Sequence, residues 1–256
     1  MNKTLSSLIC LGAVSFAMAS ETFGGIGVSL RSVQEGARVA AIIPGTPAAE
    51  TKLQEGDIII AVNGESLKEK SIAYAASLLR GKANMPLEIT YVSNGKAFTE
   101  SVRRVQLTVE SVENGESVAL KKKINQNDTD KRLVATLENG TLIKESAEKK
   151  TTSYDAVYVD KEKFDAPKAK SANVASKGVA IHEISRKSLS YSVKSSGKTT
   201  VSIINADGKT VKQIVNEKST AGANSVSLNM EDAPKGAYVV SVEHNGSLTA
   251  KNIVLR

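Results

Sequence analysis

Cysteine and histidine are scarce in this sequence. Among its 256 residues there is one cysteine, Cys10, and there are two histidines, His182 and His244. A single thiol cannot form a disulfide within the chain, and neither histidine has a second imidazole or thiolate at a spacing that zinc sites use. We therefore expect no disulfide, no metal site, no other cofactor and no catalytic triad with histidine as the base. His244 begins the sequence His-Asn-Gly, which is typical of a hairpin turn, so we expect its ring to be exposed.

Long apolar runs are also missing, apart from one at the N-terminus. There, Lys3 precedes an apolar stretch from Leu5 to Phe16, and A-M-A follows at residues 17–19. A basic start, an apolar stretch and an A-x-A sequence are typical of a secretory signal peptide, so residues 1–19 are predicted to be removed on export, and Cys10 with them. No later run approaches the about 20 apolar residues that a transmembrane helix needs.

Compact arginine-rich clusters with interleaved aromatic residues, which are common in nucleic-acid-binding proteins, are absent as well. Lysine and arginine number 34 against 27 acidic residues, which gives a formal net charge of +7, and aromatic residues make up only 4% of the chain. The lysines are spread along the sequence, so a solvated basic surface is the simplest interpretation. Together with the export signal, this distribution predicts no nucleic-acid partner.

A glycine-rich segment after the predicted signal peptide is the most informative feature. Residues 23–30 read F-G-G-I-G-V-S-L, in which Gly25 and Gly27 flank Ile26 and lead into an apolar strand. Glycines let the backbone turn so that successive N–H groups can point at one small anion. The strand that begins at Val28 could then take up a peptide as an additional strand. We expect this segment to bind the end of a peptide chain.

The segments that follow the loop support this interpretation by their order. Residues 43–50 read I-P-G-T-P-A-A-E, and residues 53–64 read L-Q-E-G-D-I-I-I-A-V-N-G. With the loop, they resemble the bacterial form of the PDZ domain, as found in tail-specific and HtrA-type proteases, over residues 22–108. The resemblance implies a partly open β-barrel with capping helices, in which a peptide lies between the strand after the loop and one helix.

That helix matches residues 71–80, with Ser71 as the predicted N-cap and Gly81 as the predicted C-cap. Its apolar residues fall on two neighbouring stripes of the helical period, one for the groove and one for the core. The first stripe contains Ile72, Ala76 and Leu79, and the second contains Ala75 and Leu78. In an alternative interpretation all five residues belong to the core.

The resemblance also implies which residues would bind the peptide. The terminal carboxylate is expected at Gly25, Ile26, Gly27 and Val28. The groove is expected to contain Ser29, Leu30, Ile72, Ala76 and Leu79. Some members of the family have a histidine at the first helical position of the groove, where this chain has Ile72, so a ligand with apolar side chains at its end is expected.

Residues 110–178 are more polar and are predicted to be a linker that can contain a small β element. Segments 132–137 and 141–144 flank an Asn-Gly pair as in a hairpin, and residues 154–159 alternate as a strand would. An Ala-, Lys- and Ser-rich stretch at residues 166–172 has the composition of a flexible linker.

Residues 179–256 return to short apolar strands at regular spacing, which is typical of a β-sandwich. Their turns and last strand resemble the C-terminal sorting domain of type IX secretion substrates and the related immunoglobulin-like domain of the flagellar hook-capping protein. The residues that carry this resemblance are Gly208, Gly222, Pro234, Gly236, Tyr238 and Lys251. The resemblance implies a Gram-negative cell, export by the secretion machinery, and a location at the outer membrane surface or outside the cell. A plain sandwich without a sorting role is the alternative, and it would leave the protein in the periplasm.

The predicted fold is therefore mainly β with some α: a signal peptide (1–19), a PDZ domain (20–109), the linker (110–178) and an immunoglobulin-like sorting domain (179–256). A tail-specific protease would need a large catalytic domain with a serine and a lysine, and nothing of that size follows Val109. We predict a protein without catalytic activity that captures the C-terminal tail of another envelope or secreted protein. Two alternatives are a regulator that presents substrates to a separate protease, and a structural surface protein whose groove is unused or filled by a neighbour's C-terminus.

Overall fold

The computed structural model describes residues 8–9, 20–113, 131–143, 153–160 and 178–256. These residues form mostly β-strands, with one α-helix and one short 3-10 helix among them, and their sheets are not closed into a barrel. The expected fold class, mainly β with some α, is confirmed. Within the described ranges no helix is long and apolar enough to cross a membrane.

The first region folds around the predicted groove. Its strands are β1 (Leu8–Ile9), β2 (Ser20–Gly25), β3 (Val28–Val33), β4 (Gly36–Ile42), β5 (Ile58–Val62), β6 (Glu65–Ser66), β7 (Pro86–Ser93), β8 (Lys96–Arg103) and β9 (Val105–Glu113). Its helices are the 3-10 helix η1 (Pro47–Glu50) and the α-helix α1 (Ile72–Leu79). Strands β1, β3, β4, β5 and β6 are neighbours in that order, and β7 joins β8 to β5. Helix α1 packs on this sheet over a core that includes Leu30, Ile59 and Ile89.

Strand β5 is buried on both faces, as its unbroken apolar run I-I-I-A-V indicates. Ile59 and Val62 belong to the core beneath α1. Ile58, Ile60 and Ala61 belong to a different cluster on the opposite side of the strand. A second layer must therefore cover the outer face of β5.

A five-stranded sheet forms another layer on the first region. Strands β10 (Lys131–Glu138), β11 (Thr141–Leu142) and β12 (Ser153–Asp160) join β9 and β2 in the order β11-β10-β12-β9-β2. Asn139 and Gly140 have φ of 50° and 73°, as in the predicted Asn-Gly hairpin turn. The sheet packs on β4 and on the residue that follows it, through apolar residues that include Ala41, Ile43, Leu137 and Val157. The remainder of the predicted linker, including residues 166–172, lies outside the described residues.

The C-terminal region has two sheets with a core between them. Its strands are β13 (Val179–Ile184), β14 (Ser188–Val193), β15 (Gly197–Ile204), β16 (Thr210–Ser219), β17 (Gly222–Ser227), β18 (Gly236–His244) and β19 (Ser247–Leu255). One sheet has the order β13-β14-β17, and the other contains β19-β18-β15-β16. Alternate residues of β14, including Leu189 and Tyr191, meet Ile203 and Val240 of the facing sheet.

The two regions are joined by a continuous sheet. Strand β19 pairs with β6 at Ser247 and Glu65, the Ser66 N–H donates to the Gly246 carbonyl at 2.8 Å, and the Leu248 N–H donates to the Gly64 carbonyl at 2.7 Å. Ile204, Val239 and Leu248 complete the apolar cluster on the outer face of β5. The C-terminal region is thus the layer that β5 requires.

The expectation of an exposed His244 is wrong. Its side chain is only 3% exposed, and Nδ1 lies 2.8 Å from the Thr199 hydroxyl in a hydrogen bond. Positive φ at Asn245 and Gly246, 48° and 79°, shows that the turn uses these two residues. His244 is the last residue of β18, and a strand residue can point inward where a turn residue would not.

Candidate functional site: a peptide-binding groove

The glycine loop connects β2 to β3 through Ile26 and Gly27. Gly27 has φ of +84°, the left-handed conformation that glycine adopts without strain. The Ile26 carbonyl accepts from the Ala48 N–H and the Gly27 carbonyl from the Ile43 N–H, both at 2.9 Å. These bonds fix the loop by its carbonyl groups. Among the described residues, the N–H groups of Ile26 and Gly27 have no acceptor and stay available to an anion.

Thr46 supports the loop from behind. Its side chain is fully buried, and its hydroxyl donates to the Ile43 carbonyl at 2.7 Å. A Cβ atom added at Gly27 would lie 2.0 Å from Thr46 Oγ1, so no other residue fits at position 27 without a shift of the loop. Sequence reasoning missed this contact, because the two residues are 19 positions apart.

Helix α1 starts where the sequence indicates. The Ser71 hydroxyl accepts from the Tyr74 N–H at 3.1 Å and caps the helix. The apolar groove residues of the loop, of β3 and of α1 come together in one cluster, which contains Ile26, Val28, Leu30, Ala76 and Leu79, with Ile72 at its border. Ala75 and Leu78 of the second stripe contact the same cluster, so burial does not separate the two stripes. Ser29 lies outside it, buried next to Ala41 in the pairing of β3 with β4.

The predicted role of Gly81 as the C-cap of α1 is wrong. Arg80 is the C-cap residue and has an extended backbone, while Gly81 forms a bridge with Gly24 through two hydrogen bonds of 2.9 and 3.0 Å. A Cβ atom on Gly24 would lie 2.3 Å from the Gly81 carbonyl oxygen. Glycine is therefore needed for the close approach that holds the end of α1 beside the loop.

Two further residues at this helix end were missed by sequence reasoning. Arg104 Nε donates to the Leu79 carbonyl at 2.8 Å and Nη2 to the Leu78 carbonyl at 2.9 Å, so this buried guanidinium caps the last carbonyl groups of α1. Burial lowers the pKa of Arg104 from its usual value. The Arg80 guanidinium lies 4.0 Å from the centre of the Phe23 ring and pairs through Nη1 with the Glu21 carboxylate.

A cavity opens between the loop, the end of α1 and the five-stranded sheet. Five of its lining residues belong to the predicted site, namely Gly25, Ile26, Gly27, Val28 and Leu79. Arg80, Leu107 and Val157 are among the other lining residues, and Val157 comes from β12 in the predicted linker. Nothing in the local sequence around Val157 indicates this role, because it depends on a strand pairing between distant segments.

The outer edge of β3 takes up an additional strand. Residues of β1 pair with it in antiparallel direction, Leu8 opposite Leu30 and Ile9 opposite Ser29. Along this strand the residue number rises toward the glycine loop. A bound peptide that runs in the same direction would bring its C-terminal end to the free N–H groups of the loop.

Two kinds of side-chain grouping that catalysis can use are a metal cluster and a serine–lysine contact. Within the described segments no three His, Cys, Asp or Glu side chains lie close enough to hold a metal ion. Lys68 Nζ does donate to the Ser202 hydroxyl at 2.9 Å, which is a serine–lysine contact. Ser202, however, is 3% exposed and faces the boundary between the two regions, where a substrate could reach it only if the regions separated.

Comparisons with known families give two matches in one order along the chain. A family model described as PDZ domain matches residues 38–92, and a model described as secretion system C-terminal sorting domain matches residues 185–256. The first match contains β5 and α1, and the second contains most of the C-terminal region.

Curated relatives match around the first region alone. Probable CtpA-like serine proteases of Staphylococcus aureus (strain COL) and Staphylococcus saprophyticus are 29% and 27% identical to this chain over 94 residues, which is 37% of this chain and 19% of each relative. The chain thus spans about a fifth of the length of these relatives, and their match adds no catalytic domain to it.

Two solved structures are similar to about a third of the chain. The PDZ domain of a carboxy-terminal protease from Vibrio cholerae, in complex with a peptide, is 22% identical, with 34% of this chain and 97% of that chain covered and a TM-score of 0.31. The photosystem II D1 C-terminal processing protease is 24% identical, with 36% and 27% covered and a TM-score of 0.31.

Proposed function

Because this chain carries a PDZ domain followed by a type IX secretion sorting domain, we propose that it is an exported, non-catalytic protein that captures the C-terminal tail of another exported protein. The sorting domain implies export to the outer membrane surface or the extracellular space and contact with the secretion machinery. Residues 1–19 would act as the signal peptide. The observation that carries the proposal is the position of the free Ile26 and Gly27 N–H groups at the end of a strand edge that accepts another strand.

The groove would select peptides with an apolar end. The backbone of β3 from Val28 to Leu30 would pair with the ligand. The terminal side chain of the ligand would be enclosed by Ile26, Ile72, Ala76 and Leu79. These side chains provide no hydrogen-bonding group, so a polar terminal side chain would lose its water without compensation. Since Ala76 is small, a medium or large terminal side chain is expected to fit better than glycine.

Carboxylate dependence tests the proposal. Residues 20–256 would be titrated with a library of free-acid peptides and with amidated copies of those that bind. We expect a dissociation constant on the order of 1 µM for the best acids, because such a contact is small, and much weaker binding of the amides, because an amide carries no charge for the loop to bind. A chain that binds no peptide, or binds acid and amide equally, would contradict the proposed function.

The chain's own N-terminal segment is expected to compete with the ligand. Since Leu8 and Ile9 pair with β3, residues 1–256 should bind the same peptides at least about tenfold more weakly than residues 20–256. Fluorescence anisotropy with one labelled peptide would measure the difference. Ile9→Pro in the longer chain should restore binding, because proline disfavours strand pairing. Equal affinities of the two chains would show that β1 does not block the groove.

One alternative is presentation of substrates to a separate protease, which the protease relatives favour. It predicts that the chain speeds cleavage of proteins bearing a groove-binding tail by a co-purified protease.

The other alternative, a groove filled by a neighbour's C-terminus, meets an obstacle. Leu255 is 2% exposed and pairs with Gly236, and the Arg256 carbonyl accepts from Arg186, so the tail would first have to leave its sheet.

A further inference from the structure

The guanidinium of Arg80 has two buried donors without an acceptor. Nη1 pairs with the Glu21 carboxylate, whereas Nε and Nη2 are both shielded from solvent and have no hydrogen-bond partner in the described part of the chain. Buried donors on a charged group are costly when they stay unpaired. An arginine in this state is expected to have a partner that arrives from outside the chain.

The two free donors share one edge of the guanidinium plane. Nε–H and one N–H of Nη2 point in parallel along that edge, and this spacing matches the two oxygens of a carboxylate. The guanidinium is held in place, because its Cζ atom lies over the Phe23 ring, 4.0 Å from the ring centre, and Nη1 pairs with the Glu21 carboxylate. The fork is therefore already oriented before a ligand binds.

Arg80 also lies where a peptide terminus would arrive. It lines the same cavity as Ile26, Gly27 and Leu79, and the bridge between Gly24 and Gly81 fixes its backbone next to the loop. The loop alone offers two neutral N–H groups to an anion. A positive charge beside them would supply the charge-assisted part of the recognition.

We propose that Arg80 binds the terminal carboxylate of the peptide through Nε and Nη2, together with the N–H groups of Ile26 and Gly27. The inference rests on the proposed function and adds to it the group that distinguishes a free carboxylate from an amide. Glu21 is expected to weaken binding of the peptide carboxylate, because its own carboxylate pairs with the same guanidinium and repels a second negative charge.

The test compares dissociation constants of an acid peptide and its amide, with the best binder of the library as the probe and residues 20–256 as the protein. In the wild-type chain the amide should bind much more weakly than the acid. Arg80→Gln is expected to reduce this amide-to-acid ratio about tenfold to hundredfold, the range that corresponds to charge-assisted hydrogen bonds. Arg80→Lys keeps the positive charge but has no pair of parallel N–H groups, so its amide-to-acid ratio should lie between those of the wild type and Arg80→Gln. Arg103→Gln removes an exposed arginine charge and should leave the ratio unchanged.

Glu21→Gln provides an independent test should Arg80→Gln fail to fold. It relieves the competing charge and should tighten acid binding severalfold while leaving amide binding unchanged. An Arg80→Gln chain that unfolds at the wild-type temperature and keeps the wild-type ratio would overturn the role of Arg80 alone. Weaker acid binding in Glu21→Gln would also overturn it. A wild-type chain that does not distinguish acid from amide would overturn the proposed function and this inference with it.

Discussion

Replacement of Gly27 by alanine is expected to lower the free energy of unfolding by about 2–5 kcal/mol and to abolish peptide binding. Two costs add up. A residue with a side chain loses about 1–2 kcal/mol in the left-handed conformation, here at φ of +84°. Overpacking adds about 1–3 kcal/mol, because the new Cβ atom would lie 2.0 Å from Oγ1 and 2.3 Å from Cβ of the buried Thr46.

Gly56 provides a matched control for this prediction. It has φ of +93°, close to that of Gly27, but a Cβ atom built there has no neighbour within 4 Å. Gly56→Ala should therefore cost only the conformational part, about 1–2 kcal/mol, and leave peptide binding intact. Urea denaturation of residues 20–256 would measure both. Equal losses for the two variants would contradict the contact with Thr46.

A double-mutant cycle would locate the strain. Thr46→Gly removes all three atoms that the new Cβ would meet, so the combination with Gly27→Ala should be less destabilising than the sum of the single changes. The same geometry limits the choice of variants for binding studies. A bulky residue at position 27 would report on folding of the loop and could not serve as a simple block of the groove.

The parts of the site that the sequence predicts are those set by local rules. Gly27 needs a positive φ for its turn, Ser71 precedes a helical period and caps it, and Ile72, Ala76 and Leu79 follow that period along one side. Each of these signals involves residues fewer than ten positions apart. Such signals can be interpreted from the sequence alone, because they do not depend on a residue elsewhere in the chain.

The parts that sequence reasoning missed depend on pairings between distant segments. Gly81 has the position of a helix-ending glycine, yet its role is the close approach to Gly24, 57 positions earlier, a distance visible only once β2 lies against the end of α1. Arg104 reaches the same place from the junction between β8 and β9, and Val157 reaches it from β12. No local sequence pattern indicates that Arg104 would cap α1, because the helix ends 25 positions earlier.

Strand β5 lies between these cases. Its run of five apolar residues, 58–62, indicates a strand with both faces covered, and that is what the structure has. The run does not say which segment covers the second face. The answer, the C-terminal region, also means that the PDZ domain and the sorting domain share a core around Ile60.

Ile60→Asp is therefore expected to harm the stability of residues 20–256 and to improve the solubility of residues 20–177. In residues 20–256 the new carboxylate would be buried among Ile204, Val239 and Leu248, and the free energy of unfolding should fall by more than about 4 kcal/mol. In residues 20–177, which lack those partners, position 60 would face water. There the same substitution should reduce binding of an apolar dye and raise solubility, because it removes part of an exposed apolar patch.

Val211→Asp is the control in the longer chain, since Val211 is 53% exposed on β16 and its replacement should change stability by no more than about 0.5 kcal/mol. Urea denaturation and dye fluorescence would be recorded for each pair of variants. If Ile60→Asp destabilises the shorter fragment as much as the longer chain, Ile60 stabilises the PDZ domain by itself, and the shared core is not what holds the two regions together. If it is harmless in both, the two regions do not pack through β5. Destabilisation of the longer chain together with better solubility of the fragment would mean that the PDZ domain is folded against the sorting domain. Loss of the sorting domain would then expose the outer face of β5, whose inner face belongs to the core beneath α1.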